Sequence, residues 1–182
     1  MFYNCHTLQI INGLKYLDVS LSKNFEYMFY DCNLISDLKP LENWNVSNAN
    51  DISGLFCNCS LLKDINALKN WNVSKVSNFE FLFYKCSSLT DINSLRNWDV
   101  SNGNNFSVMF YGCSSLIEIN ALQNWNVSKG NTFKAIFFDC SSLTDIKGLQ
   151  NWNVSNGVAF ERMFCGCSSL TDINALRSWN VS

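Results

Sequence analysis

Cysteine recurs at positions 5, 32, 59, 86, 113, 140 and 167, and tryptophan at 44, 71, 98, 125, 152 and 179, each step being 27 residues. Two independent residue types hold one period over the whole chain without an insertion or deletion. A period of that size limits the fold to a stack of one supersecondary unit, in which each copy contacts its neighbours and the core runs along the stack. A third pair of columns keeps the register: Val19, Val46, Val73, Val100, Val127, Val154 and Val181 are each followed by serine, from Ser20 to Ser182. The first tryptophan position is Leu17, so the first of about seven units carries a smaller residue there.

Apolar spacing inside the unit gives expectations for its local structure. Phe79, Leu82, Phe83 and Cys86 lie at i, i+3, i+4 and i+7, as do Phe106, Met109, Phe110 and Cys113, and Phe133, Ile136, Phe137 and Cys140. That spacing predicts one face of a short helix. Asn24, Asp51, Asn78, Asn105 and Thr132 stand just before it as N-caps, and Glu26 and Glu80 follow where a helix dipole favours negative charge. After the cysteine come Leu89, Ile92, Leu95, Trp98 and Val100. The closing Trp-x-Val-Ser alternation predicts a half-buried strand, and Leu89 to Ile92 a second. Strands of successive units would stack at about 4.8 Å. The expected fold is therefore an α/β repeat, with a parallel strand ladder on one side and short helices on the other.

The unit F-x-x-(M/L)-F-x-x-C-S-S-L-x-x-I followed by W-N-V-S resembles the BspA-like group of leucine-rich repeats, and the core MF-x-x-CSSL carries most of the likeness. The resemblance covers essentially the whole chain. It implies a leucine-rich-repeat solenoid of about seven units spanning residues 1–182 as a single domain, a segment of a longer array. It also implies a cell-surface or secreted setting and adhesion to host or matrix proteins. It carries over no catalytic residue, and a fold shared by many functions leaves the ligand open.

Composition narrows the function classes. Lys plus Arg number 13 against 15 Asp plus Glu, for a net charge of −2, which offers no electrostatic basis for gripping nucleic acid. A content of 47% hydrophobic and 14% aromatic residues is that of a folded chain, and no stretch has the 18 consecutive apolar residues of a membrane span. No export signal is visible at the N-terminus. His6 is the sole histidine, which removes histidine-dependent triads and multi-histidine metal centres. The expectation is a protein that is not an enzyme and has no cofactor.

Each chemically tempting column has a structural reading beside the functional one. Seven of the nine cysteines share one column and read as small buried apolar residues. The extra pair, Cys57 and Cys165, lacks the spacing and histidine partners of a zinc site. The acids Asp37, Asp64, Asp91, Glu118, Asp145 and Asp172 would repel if stacked at strand spacing. They read as solvent-facing or bonded to local backbone, with Lys63, Lys69, Arg96 and Arg177 as counter-charge; calcium bridging adjacent carboxylates is the alternative. Asn43, Asn70, Asn97, Asn124 and Asn151 before tryptophan, and Asn45, Asn72, Asn126 and Asn153 after it, read as stacked amides satisfying turns. The N-V-S triplets are formal glycosylation sequons, better explained by repetition.

Tyr30, Tyr84, Tyr111 and Phe138 follow the buried phenylalanine by one residue and offer either an aromatic stripe for protein recognition or packing between units. These four, with Asp64, Asp91, Glu118 and Asp145, form the candidate ligand surface. The expected partner is a protein, whether host, matrix or self, and the expected function is a non-enzymatic interaction or adhesion scaffold. The rival readings are a structural module that self-associates through stacking and the recognition part of a larger multidomain protein.

Overall fold

A computed structural model describes residues 1–181; Ser182, the last member of the serine column, lies outside the described residues. Among them no α-helix and no β-sheet occurs, and the regular elements are seven short 3₁₀ helices: Asn12–Tyr16, Lys39–Leu41, Asn66–Leu68, Asn93–Asn97, Asn120–Asn124, Lys147–Leu149 and Asn174–Leu176. The expected leucine-rich-repeat solenoid, with strands on one side and helices on the other, is thereby overturned. What is present is a stack of turns.

The predicted helix fails for a specific reason. In the segment Phe79–Cys86 two residues sit in the left-handed region, Phe81 at φ 57° and Lys85 at φ 54°. The N–H groups of Leu82, Tyr84 and Cys86 close on the carbonyls of Phe79, Phe81 and Phe83, three residues back. A positive φ at the third residue of a four-residue turn is the type II signature, so tandem turns replace the helix. Those turns repeat every four residues, and over eight residues the spacing i, i+3, i+4, i+7 fits a four-residue period as well as a helical one.

Alternate residues of the same segment face the next unit. The N–H groups of Phe79, Phe81, Phe83 and Lys85 donate to the carbonyls of Asn105, Ser107, Met109 and Tyr111, at 2.6–3.2 Å. Local turn closure and inter-unit bonding thus share the backbone donors between them.

The predicted closing strand fails because its donors are used locally, and at Leu89–Ile92 the contact with the previous unit is limited to Thr90 N–H on Lys63 O and one bridge pair. Trp98 N–H closes on Leu95 O, and Ser101 N–H on the side chain of Asp99. Parallel bridges do occur, but each is a single residue pair. One series runs Asn24–Asp51–Asn78–Asn105–Thr132–Ala159, the first five being the positions expected to be helix caps; Asp64–Asp91 and Glu118–Asp145 are two more. The capping bonds themselves survive without a helix. Asn24, Asp51, Asn78 and Asn105 each accept the N–H two residues on through their side-chain oxygen, which makes them Asx turns.

The core lies between the turns and the 3₁₀ helices. Phe2, Phe29, Phe56, Phe83, Phe110, Phe137 and Phe164 form one unbroken column with ring centroids 5.5–5.9 Å apart. Its five inner members are fully buried. Each such ring contributes about 1.5–3 kcal/mol by burial, and aromatic pairing adds about 0.5–1.5 kcal/mol. Phe79, Phe106, Phe133 and Phe160 make a second column.

Tryptophan and cysteine do more than fill space. Each of the six indole Nε1 groups donates to a leucine carbonyl thirty residues earlier, at 2.8–3.1 Å. Each Sγ from Cys32 to Cys167 in the cysteine column donates to a phenylalanine carbonyl thirty residues earlier, at 3.0–3.4 Å. Those carbonyls, such as Leu95 O and Phe83 O, already accept the N–H that closes their own turn. Every unit therefore fixes the previous one through the second lone pair of two turn carbonyls.

Candidate functional site

The tyrosine column is interrupted in sequence, since Cys57 stands where its neighbours carry Tyr30 and Tyr84. The structure restores continuity by a detour. Tyr3 stacks on Tyr30 at 4.5 Å, and Tyr30 meets the edge of Tyr27 at 5.6 Å. Tyr27 approaches Phe81 at 6.5 Å, and Phe81 meets Tyr84 at 5.4 Å. Tyr84 then stacks on Tyr111 at 4.7 Å and Tyr111 on Phe138 at 4.5 Å. Seven rings are thus joined in a line along one side of the stack, and six of them are half-buried while Tyr3 is exposed.

Local backbone explains the detour. Tyr27, Gly54 and Phe81 occupy the same left-handed position in successive units, with φ of 50°, 60° and 57°. The left-handed residue projects away from the core: Tyr27 and Phe81 are half-buried, whereas Phe25, Phe29, Phe79 and Phe83 are buried. At Gly54 there is no side chain, and Tyr27 fills the space; a Cβ on Gly54 would lie 2.1 Å from Tyr27 Cδ1. Gly54 therefore lets Tyr27 lean across one unit toward Phe81. Beneath them Cys57 is buried, and burial first, then the Asp31 charge, pushes its thiol up to about 12.

Charge gathers around this part of the line. Burial, followed by the carboxylate of Glu80, the thiol of Cys57 and the carboxylate of Glu26, raises the phenol of Tyr27. Tyr30 is raised by Cys57, by burial and by Asp31. Lys85 Nζ lies 5.4 Å from the centre of the Tyr84 ring, a cation–π contact. Tyr3, Tyr27 and Phe81 are the members that the sequence reading did not name: Tyr3 lies in the column of Tyr30 itself, whereas the column of Tyr27 and Phe81 also holds Gly54, Val108, Ala135 and Arg162. The signal available was glycine and aromatic residues alternating at one left-handed position.

The acidic column is placed elsewhere. Asp37, Asp64, Asp91, Asp145 and Asp172 each accept the backbone N–H two residues on through Oδ1, at 2.6–2.8 Å, and Glu118 does so through Oε2 at 2.8 Å. These bonds start the 3₁₀ helices, so the column is a row of Asx-type turns. Among the described residues the one ion pair is Lys147–Asp145 at 3.3 Å, and Arg96 donates instead to Asn93 Oδ1 at 3.1 Å. Among the same residues no three His, Cys, Asp or Glu side chains are grouped to hold a metal ion. A groove of about 430 Å³ near the start of the column is lined by Asp37, Lys39, Glu42, Asp64 and Lys69.

The asparagines after tryptophan are not an amide ladder. Asn45, Asn72, Asn126 and Asn153 each accept the N–H of the serine two residues on, and those before tryptophan are exposed. The column cysteines are free, and burial raises Cys32 and Cys167 to about 11 and Cys59, Cys86, Cys113 and Cys140 well upward. Cys165 is the exposed thiol. His6 Nδ1 lies 3.1 Å from Asp31 O on an exposed terminal unit.

Among the described residues no helix is long and apolar enough to cross a membrane. No curated protein matches the chain. A family model matches twice, over residues 1–116 and 89–182, with the two segments overlapping as expected for a repeat protein. The chain belongs to that family, described as Mycoplasma protein of unknown function, DUF285.

Proposed function

We propose that this repeat protein is a non-enzymatic interaction scaffold whose line of seven joined rings, Tyr3 to Phe138, is the contact surface for a protein partner. One observation carries the reading: the rings stay linked across the Gly54 and Cys57 interruption yet remain half-exposed. Aromatic side chains held rigid by stacking lose little conformational entropy on binding and supply most of the energy at protein contacts. The column thiols from Cys32 to Cys167 are engaged in architecture as donors, and the acidic column from Asp37 to Asp172 in turns. The likeness of the MF-x-x-CSSL core to BspA-like surface repeats supports a host or matrix protein as partner and a cell-surface or secreted setting.

The test is surface plasmon resonance of the immobilised chain against a panel of matrix and host-surface proteins, with a Tyr111→Ser, Phe138→Ser variant in parallel. Binding by the parent chain and loss of at least roughly tenfold in the variant are expected for removal of two contact aromatics. No binding across the panel, or binding indifferent to the variant, overturns the reading.

A further inference from the structure

The line of rings is not chemically uniform. From Tyr84 through Tyr111 to Phe138 it is a plain stack, but at Tyr27, Tyr30, Phe81 and Tyr84 the rings meet edge-on or tilted around Gly54. Edge-on packing sets the edge of one ring against the face of the next, and all four rings are half-buried, so part of each stays open to solvent; an aromatic face carries the negative end of the ring quadrupole. Three carboxylates bear on the phenols of this cluster, Glu80 and Glu26 on Tyr27 and Asp31 on Tyr30. Glu80 Oε2 is held by Asn105 Nδ2 at 3.0 Å and Asp31 Oδ1 by Asn58 Nδ2, which leaves each carboxylate a second oxygen. Lys85, the next residue in the chain, already lies over one face, that of Tyr84.

We propose that the cluster of Tyr27, Tyr30, Phe81 and Tyr84, with Glu26, Asp31 and Glu80 around it, receives a cationic side chain from a basic segment of the protein partner, arginine above all. Arginine fits best because its planar guanidinium stacks on a ring while its N–H groups reach carboxylates. Tyr27 leaning over Gly54 is the element that builds the cluster, and no other unit pairs a glycine at the left-handed position with aromatic residues on both sides. The inference rests on the interaction-scaffold reading and narrows it to one end of the line and one partner chemistry.

Fluorescence anisotropy tests it with three labelled eight-residue peptides on the intact chain: alternating glycine–arginine, glycine–citrulline and glycine–glutamate. The arginine peptide should bind saturably, with the citrulline and glutamate peptides weaker by roughly tenfold or more, the worth of a cation–π contact and a nearby carboxylate. Glu26→Gln with Glu80→Gln should weaken the arginine peptide roughly tenfold at an unchanged melting temperature, since glutamine keeps an oxygen for Asn105 Nδ2. Phe81→Leu should weaken it several-fold while the chain stays folded at the assay temperature. Equal binding of the arginine and citrulline peptides, arginine binding unmoved by the glutamate variants, or no saturation by about 1 mM overturns the proposal. So does self-association of the parent chain in sedimentation that Phe81→Leu abolishes, since a second copy then occupies the cluster. If a panel protein binds through Tyr111 and Phe138 while the arginine peptide does not bind, the scaffold reading stands and this inference falls.

Discussion

The indole N–H of Trp125 donates to the carbonyl oxygen of Leu95 at 2.9 Å, thirty residues back, on an oxygen that already accepts Trp98 N–H at 3.1 Å. Trp125→Phe keeps an apolar ring but removes the donor and part of the volume beside Trp152. A lost hydrogen bond costs about 1 kcal/mol and the shortfall in packing about 1–2 kcal/mol, so the variant should lose about 2–3 kcal/mol in denaturant unfolding.

Val108 holds φ 52°, a backbone region that a β-branched residue rarely adopts. Val108→Asn should therefore stabilise the chain by about 1 kcal/mol and raise the melting temperature by about 2–4 °C, since asparagine tolerates the left-handed region. The half-buried position limits the apolar contact given up. A lower melting temperature would show that Val108 packing outweighs the strain.

Asp91 accepts Asn93 N–H through Oδ1 at 2.7 Å. Asp91→Asn keeps that acceptor and should change stability by less than about 0.5 kcal/mol, whereas Asp91→Ala should cost about 0.5–2 kcal/mol, the range of a lost cap. Calcium should leave all three melting curves where they are, and a calcium-dependent rise lost in both variants would restore a cation role to the column.

Buried thiols make stability depend on alkaline pH. Burial raises Cys32 to about 11 and Cys57 to about 12 in the folded chain, from an ordinary value of 9.0. Above pH 9 the unfolded chain releases those protons while the folded chain still holds them, so unfolding gains and stability falls. The contribution is whole below pH 9 and declines as pH rises through about 11 and 12. Melting temperatures across pH 8–11 should fall in the upper part of that range, and Cys57→Ala should flatten the decline. Native-state alkylation should modify Cys165 before the buried column cysteines, Cys32 to Cys167, which should react only after unfolding, because the thiolate is the nucleophile.

Much of the arrangement was legible in the residue order. The columns of Phe, Cys, Trp and Val named the core, and the structure buries nearly all of them. The Asx positions were legible as caps, since a side-chain oxygen bonding the N–H two residues on needs no helix to follow it. The helix itself was misread because its apolar spacing also suits tandem turns. The missed signal lay one position before six of the seven column cysteines, where Asn4, Asp31, Asn58, Gly112, Asp139 and Gly166 are residue types that accept positive φ; Lys85 holds the same conformation before Cys86.

Periodicity alone determined that every unit would meet its neighbours in one register, because a column kept for 27-residue steps can bury itself only against its own copies. Tertiary structure decided which backbone groups make those contacts. Along Phe79–Cys86 turn closure and the next unit take alternate donors, and indole and thiol donors from thirty residues on add to turn carbonyls such as Leu95 O and Phe83 O that already accept one bond. It also decided that Tyr27 and Phe81 belong to the aromatic line: their inclusion depends on the empty space above Gly54, which exists only once three units are stacked.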